Sequence, residues 1–333
     1  MTQMIPLPAT MKSPRDRRPS IWRGGVLQIC VTRSCDQACF GCTQGSNLQG
    51  KKWMMTPEHY RAAVESLKGY FGVIGLFGGN PALHPQFDQL CQILRELTMF
   101  EQRGIWCNHP RGNAKTMRVT FDPKVSNLNV HLSREAYDEF CSDWPECRPY
   151  LKGLDPSWHE AKLIIDPMQR AHQVGDARHS PVYVAMQDVI MDEAERWQLI
   201  GRCDVNQYWS AMINEFRGEL RGWFCEIAGA QAVLHQDEPD YPDLGVPVID
   251  GWWNKGIDAF DAQVRYHCMA CGFPMRGYGD LAIGGSAEQV SETHKSIYKP
   301  KPKNRLVQLV DNREQIKENA LNRGTDYVEN GKV

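Results

Sequence analysis

Cysteines at positions 35, 39 and 42 are spaced so that three thiolates could share one metal centre. The run Cys35-Asp-Gln-Ala-Cys39-Phe-Gly-Cys42 directly follows an apolar stretch, Val26-Leu-Gln-Ile-Cys-Val31. Three thiolates on one short loop can hold three irons of a 4Fe-4S cube and leave the remaining iron open to a substrate or cofactor. Iron–sulfur clusters are ordinarily closed by four cysteines and structural zinc by four ligands. A triplet with no nearby fourth therefore points to a reactive centre. The same positions are also i, i+4 and i+7, one face of a helix, where cysteines pack as small hydrophobes. Gly41 disfavours a helix there by about 1 kcal/mol relative to alanine, and the Gly45, Ser46, Asn47 and Gly50 that follow are loop-forming residues. On the triplet alone, a cluster loop and a buried helical stripe both stand.

The elements that must position this loop are legible from periodicity. Val26–Val31 reads as a buried strand feeding the cysteines. Thr56 as N-cap and Pro57 at the first helical position start a helix that runs to about Leu67, with Gly69 beyond it as a stop. Residues 71–77 form a second apolar strand that ends in Gly78-Gly79-Asn80-Pro81. A helix over 85–98 then places Phe87, Leu90, Cys91, Leu94 and Leu97 at helical spacing. The order strand, loop, helix, strand, loop, helix predicts an α/β fold with a parallel sheet, in which chemistry gathers at the carboxyl ends of the strands. The cysteine loop and the glycine turn then share one rim. Asn108 and His109, after the strand residues 104–107, lie on the same rim. Over 125–133, Leu128, Val130 and Leu132 alternate with Asn127, Asn129, His131 and Ser133, as in a strand with one polar face.

A second cysteine set, Cys203, Cys225, Cys268 and Cys271, has the spacing C-x21-C-x42-C-x2-C. Between its first two members, residues 209–216 and 220–224 read as a hairpin turning at Gly218, and a helix over 226–234 follows Cys225. Four sulfurs with a CxxC pair suit a structural zinc ion or an iron–sulfur cluster equally on spacing alone.

Taken together, Cys35, Cys39, Cys42 and the Gly78-Gly79-Asn80-Pro81-Ala-Leu-His84-Pro85-Gln-Phe87 segment resemble the radical S-adenosylmethionine (SAM) superfamily, with its CxxxCxxC loop and GGEP turn. The resemblance implies a partial (β/α)6 barrel of about six strands. It implies a 4Fe-4S cluster on Cys35, Cys39 and Cys42 and SAM chelating the open iron, where one electron cleaves it to methionine and a 5′-deoxyadenosyl radical. It further implies SAM contacts from Gly78, Gly79, Asn80 and Pro81, from Phe40 at the adenine, and from Asn129 and Ser133 at the carboxylate or ribose. Two positions depart from the family pattern: Asn80 stands where the family has Glu, and Phe40 comes one residue before its usual place, which Gly41 takes. The second set is similar to the twitch domain, a shortened SPASM domain, in which a hairpin, a helix and a final CxxC hold an auxiliary 4Fe-4S cluster. That likeness favours iron–sulfur over zinc at Cys203, Cys225, Cys268 and Cys271.

Composition bounds the remaining classes. At 333 residues the chain is long enough for two domains. The expected organisation is a disordered tail over 1–20, a barrel over 21–190, a twitch-like hairpin-helix domain over 191–290 and a charged tail over 291–333, linker-like from Lys295. Twelve cysteines would suit a disulfide scaffold only in a short secreted chain. Seven fall into the two ligand sets, and Cys30, Cys91, Cys107, Cys141 and Cys147 read as ordinary thiols. No apolar run approaches the ~20 residues of a membrane span, no signal-peptide core is present, and a cytoplasmic location is expected. A net charge of −2 makes no case for nucleic acid or a membrane as partner. The tryptophan- and histidine-rich stretch over 141–180 interrupts the strand–helix rhythm, and the next strand is expected at Val182–Ile190.

The reaction these features imply is a two-electron oxidation, such as carbinol to ketone. A substrate hydrogen atom is abstracted and the remaining electron passes to the auxiliary cluster. A small-molecule or peptide substrate and a reducing partner such as flavodoxin or ferredoxin are implied, while no residue type or spacing singles out the base. Two alternatives stay open: a radical SAM enzyme that modifies a ribosomal peptide, and a non-catalytic zinc or iron–sulfur electron-transfer protein.

Overall fold

The computed structural model describes residues 25–35, 42–46, 48, 53–130, 134–148, 182–201, 203, 211–275, 287–297 and 306–309. Strand β1 (Val26–Thr32) lies at the centre of the sheet. It pairs in parallel with β2 (Val73–Gly78) on one side and with β5 (Ala211–Phe216) on the other. Strands β3 (Arg103–Cys107) and β4 (Asn127–Val130) extend the parallel sheet beyond β2. Beyond β5, β6 (Glu219–Trp223) and β7 (Val246–Pro247) are antiparallel, giving the order β4-β3-β2-β1-β5-β6-β7. The fold is thus mixed α/β with a mostly parallel sheet. The expected hairpin forms, but its first strand is hydrogen-bonded to β1 within this same sheet. Its two-residue turn places Arg217 at φ 51° and Gly218 at φ 85°, the paired positive dihedrals that suit a tight hairpin.

Three helices connect the first four strands: α1 (Pro57–Glu65), α2 (Phe87–Leu97) and α3 (Ala114–Thr120). Thr56 caps α1, its hydroxyl accepting the His59 amide at 3.2 Å, as the sequence pattern predicts. In α2, Phe87, Leu90, Cys91 and Leu94 are buried, whereas Leu97, the last residue of the helix, is exposed. Helix α4 (Arg134–Asp143) follows β4 and leads to buried Trp144 and Cys147. The rest of the stretch to residue 181 lies outside the described residues, as do the tails at 1–24 and 310–333.

The expected strand at Val182–Ile190 is corrected. Residues 182–184 form a turn, and α5 (Met186–Val189) is one helical turn, followed by α6 (Glu193–Gly201). The run is apolar because it is buried, but its backbone partners are loops. Gly272 donates to the Val182 carbonyl at 2.9 Å, Ser291 to that of Tyr183 at 3.1 Å, and the Gln187 amide to Met269 at 3.1 Å. Among the described residues no strand pairs with it, and apolar character alone does not make a strand.

Helix α7 (Glu226–His235) is buried along its whole length, the mark of a helix packed on all sides. It lies against β5 and β6, where a Cβ on Gly229 would come within 2.6 Å of the Met212 sulfur. Helix α8 (Asp261–His267) ends at the CxxC pair. The linker-like reading from Lys295 is also corrected. Residues 292–297 form a short 3-10 helix that buries His294 and Ile297, and β9 (Leu306–Leu309) pairs in parallel with β8 (Ala287–Val290). Burial of one histidine and one isoleucine anchors a segment whose overall composition is charged.

The glycine turn meets the end of β1 at very short range. Gly78 sits at φ 140°, and a Cβ there would lie 2.1 Å from the Thr32 carbonyl oxygen; a Cβ on Gly79 would lie 2.2 Å from that of Ser34. Both neighbours are backbone, so neither can swing away. Gly79→Ala is expected to destabilise the fold by about 1–3 kcal/mol through overpacking, measured by urea unfolding. Wild-type stability in this variant would show that the two rims can separate.

Candidate functional site

The carboxyl ends of β1 and β2 are tied backbone to backbone. The Gly79 amide donates to Thr32 O and the Asn80 amide to Ser34 O, each at 2.8 Å. Residues 53–55 hold β1 from its other side: the Arg33 amide donates to Trp53 O at 3.0 Å and the Met55 amide to Val31 O at 2.8 Å. Cys35 therefore leaves β1 from a backbone anchored on both flanks. Cys35 and Cys42 are part-buried; Cys39 and Phe40 lie outside the described residues.

Two side chains lie near these thiols: Asn108, expected on this rim, and Arg33, which the sequence did not single out. Asn108, at the carboxyl end of β3, points its amide nitrogen at the Cys35 sulfur at 3.8 Å. Arg33 is buried, donates to the Gly45 carbonyl at 3.3 Å, and stands in the electrostatic field of Tyr183, Cys30 and Cys42. Burial lowers its pKa and those neighbours raise it again. A guanidinium in that position favours anionic sulfur nearby. Neither residue belongs to a spacing motif, and only the fold brings them to the loop.

Asn80 is fully buried. Its side-chain oxygen accepts the Ala82 amide at 3.2 Å, and its nitrogen donates to the His109 carbonyl at 3.0 Å. The side chain thus caps the short 3-10 turn that Pro81 opens and braces the β2 rim against the β3 rim. The bare sides of Gly78 and Gly79 face the β1 backbone. His109 lies 3.5 Å from the Glu139 carboxylate. Asn129 sits in β4 in register with Trp106, whereas His131 and Ser133 lie outside the described residues.

The second cysteine set comes together. Cys203, Cys225, Cys268 and Cys271 line one pocket with Phe224, Ile227, Ala228, His267, Phe273 and Pro274. Cys225 caps the start of α7, and Cys268 and Cys271 follow α8. Gln263 fixes the two helices relative to β6: its oxygen accepts the Phe224 amide at 3.0 Å, and its nitrogen donates to Gly222 O at 3.1 Å and Leu244 O at 2.8 Å. The CxxC loop is held from behind at Ala270, whose carbonyl accepts from Gln231 and from His294.

Burial pushes the Cys225 thiol well above its ordinary value, with Cys203, Glu226 and Cys271 adding to the effect and a backbone hydrogen bond at Ala228 opposing it. Cys271 is pushed up for the same first reason, then by Cys203 and Cys268, against the Phe273 amide that donates to its sulfur at 3.3 Å. Such thiols ionise when a metal cation supplies the compensating charge. Among the described residues, no group of three or more His, Cys, Asp or Glu side chains converges on a single-ion position. The four cysteines share the lining of one pocket, the common surroundings that either four-sulfur centre needs.

Cys30, Cys91, Cys107, Cys141 and Cys147 are buried, as expected of ordinary thiols; burial raises Cys30 and Cys91 to about 12. No helix among the described residues is long and apolar enough to cross a membrane. No protein-family model matches the chain, and no curated protein matches it.

Behind the cavity, burial holds His294 down at about 4, with His235 lowering it further and the Ala270 hydrogen bond opposing. The unfolded chain takes up a proton near pH 6.5 and the folded one near 4. Stability from this group is therefore complete above pH 6.5 and lost as pH falls toward 4, at about 1.4 kcal/mol per pH unit. Urea unfolding of metal-free protein across that window should show a shallower pH dependence in His294→Gln than in wild type. Parallel curves would contradict the assignment.

Proposed function

We propose that this chain is a radical SAM enzyme carrying a second, auxiliary iron–sulfur cluster, and that it oxidises its substrate by two electrons. The observation that carries the reading is the junction of the CxxxCxxC loop and the Gly-Gly-Asn-Pro turn at the carboxyl rim of a parallel sheet, backbone tied to backbone. The finer architecture, a partial (β/α)6 barrel followed by a twitch-like unit, belongs to this proposal. In it, Cys35, Cys39 and Cys42 hold the first cluster, and Cys203, Cys225, Cys268 and Cys271 the second. When bound, the first cluster and SAM supply a 5′-deoxyadenosyl radical for hydrogen-atom abstraction.

The chain's own part is to position and to insulate. Asn108 directs an amide N–H toward the Cys35 sulfur, and Arg33 offsets negative charge beside Cys42 from a position closed to water. Asn80 carries no charge and is occupied by the turn, so any contribution of the Gly78–Pro81 segment to SAM comes from its backbone. Phe40, Asn129 and Ser133 are assigned to SAM by the resemblance alone. At the second set, four buried cysteines line one largely apolar pocket, surroundings that disfavour a solvated ion. A cluster there would serve as electron acceptor, the component an oxidation needs beyond the radical itself. The likeness of the hairpin, the helix and the final CxxC to the twitch domain is what sets the zinc alternative below this one.

Anaerobic reconstitution should give about eight irons per chain if both sets hold 4Fe-4S cubes. About four irons with zinc retained would remove the second cluster from the account. Cys35→Ala, Cys39→Ala and Cys42→Ala should each abolish reductive SAM cleavage, measured as 5′-deoxyadenosine, while Cys268→Ala should leave it largely intact. Persistent 5′-deoxyadenosine formation in the loop variants would refute the enzyme assignment.

A further inference from the structure

The cavity of the second cysteine set has a fifth donor. His267, the last residue of α8 and the neighbour of Cys268, is 1% exposed, and its ring lines the same space as the four thiols. Its two nitrogens are in different situations. Nδ1 lies 3.1 Å from the Gln231 side-chain oxygen and 3.4 Å from the Tyr241 hydroxyl. Nε2 is buried and has no hydrogen-bond partner among the described residues.

The tautomer follows from Gln231. Its amide nitrogen donates to the Ala270 carbonyl at 3.2 Å, and a carbonyl can only accept. That orientation turns the Gln231 oxygen toward His267, so Nδ1 must carry the proton and Nε2 must carry the lone pair. A neutral imidazole whose Nδ1–H is anchored on an amide oxygen, whose Nε2 is buried and unpartnered, and which lines the same pocket as four cysteines has the tautomer of a metal-ligating histidine. Left unligated, the same lone pair stays buried without a donor. Bonding to iron gives it a partner.

We propose that His267 Nε2 is a ligand of the second metal centre, giving that centre mixed nitrogen–sulfur ligation. The inference rests on the reading that this cavity holds an iron–sulfur cluster. Five donors then serve four iron positions, and His267 takes the place of one thiolate. Each thiol must lose a proton to bind, whereas Nε2 binds through an existing lone pair and releases none. Replacing thiolate by imidazole raises the reduction potential of an iron–sulfur centre, which makes it a better electron acceptor and suits the oxidative role. Gln231 is the positioning residue: it selects the tautomer and aims the ring without touching the metal.

The test uses the full chain, reconstituted with iron and sulfide in the absence of SAM, reduced, and labelled with [15N]histidine. Electron spin-echo spectroscopy should show a strong histidine nitrogen coupling that changes from the 14N to the 15N pattern on labelling. The coupling should survive in the combined Cys35→Ala, Cys39→Ala and Cys42→Ala variant, which retains only the second centre. His267→Ala should lose it, keep its iron, and move the midpoint potential of that centre downward as a cysteine takes the vacated position. Iron and sulfide present in the combined variant, with no histidine coupling or with a coupling unchanged by His267→Ala, would overturn the inference and leave the cluster reading standing. Absence of iron from the folded combined variant would overturn both. If His267→Ala fails to fold, the labelled combined variant decides the matter, because a cluster without strong 15N coupling rejects the ligand.

Discussion

The two cysteine sets are joined through a span of three residues, Val182 to Val184, fully buried between them. The Tyr183 hydroxyl donates to the Thr43 carbonyl at 3.1 Å, inside the first cysteine loop. On either side of that ring, the Val182 carbonyl accepts from Gly272, just past Cys271, and the Tyr183 carbonyl accepts from Ser291. Gly45 in the first loop leaves no room for a side chain: a Cβ would lie 2.7 Å from both the Tyr183 hydroxyl and Leu234 of α7. A buried, hydrogen-bonded crosspiece of this kind sets the spacing of Thr43 and Gly272, each one residue past a cysteine of its set, through packing. In the proposed oxidation, electron transfer between the two centres would depend on that spacing, so the segment would link fold to chemistry.

At the second cysteine set, burial opposes the ionisation that a bound metal would require. Buried thiols lining one pocket resist ionisation by desolvation and by mutual repulsion. Without a cation the region keeps its protons and gains little from its polar atoms. With one, each thiolate is compensated, and the backbone amides at Ala228 and Phe273 become charge-assisted donors to sulfur. The supporting frame is already in place around them: Gln263 ties β6 to α8, and Gln231 and His294 hold the CxxC loop at Ala270. Such preorganisation reduces what metal binding must still order.

Much of this was legible in the residues. Strands β1 and β2, helices α1, α2 and α7, and the hairpin at Arg217-Gly218 follow from period and turn chemistry, because each has a local signal strong enough to stand alone. The run at Val182–Ile190 did not yield to the same reasoning. Its apolar residues report burial, and burial between loops looks like burial in a sheet when only the period is visible. The buried end at His294 and Ile297 was hidden by the lysine- and proline-rich residues around it. Within the sites, cysteine spacing is a one-dimensional signal and was readable. Arg33, Asn108, Gln231, Gln263 and His267 reach their thiols or loops only through tertiary packing. For His267 a faint signal existed in the adjacent Cys268, but a lone histidine beside a CxxC is uninformative until its ring is seen to line the cavity.

The central claim is that the first cysteine loop leaves one iron open to SAM. Electron paramagnetic resonance of the reduced, anaerobically reconstituted protein tests it directly, with the spectrum recorded before and after SAM is added. The account predicts that SAM changes the cluster signal, and that the change disappears when Cys35, Cys39 or Cys42 is replaced. A reduced cluster spectrum indifferent to SAM in the wild-type protein would contradict it.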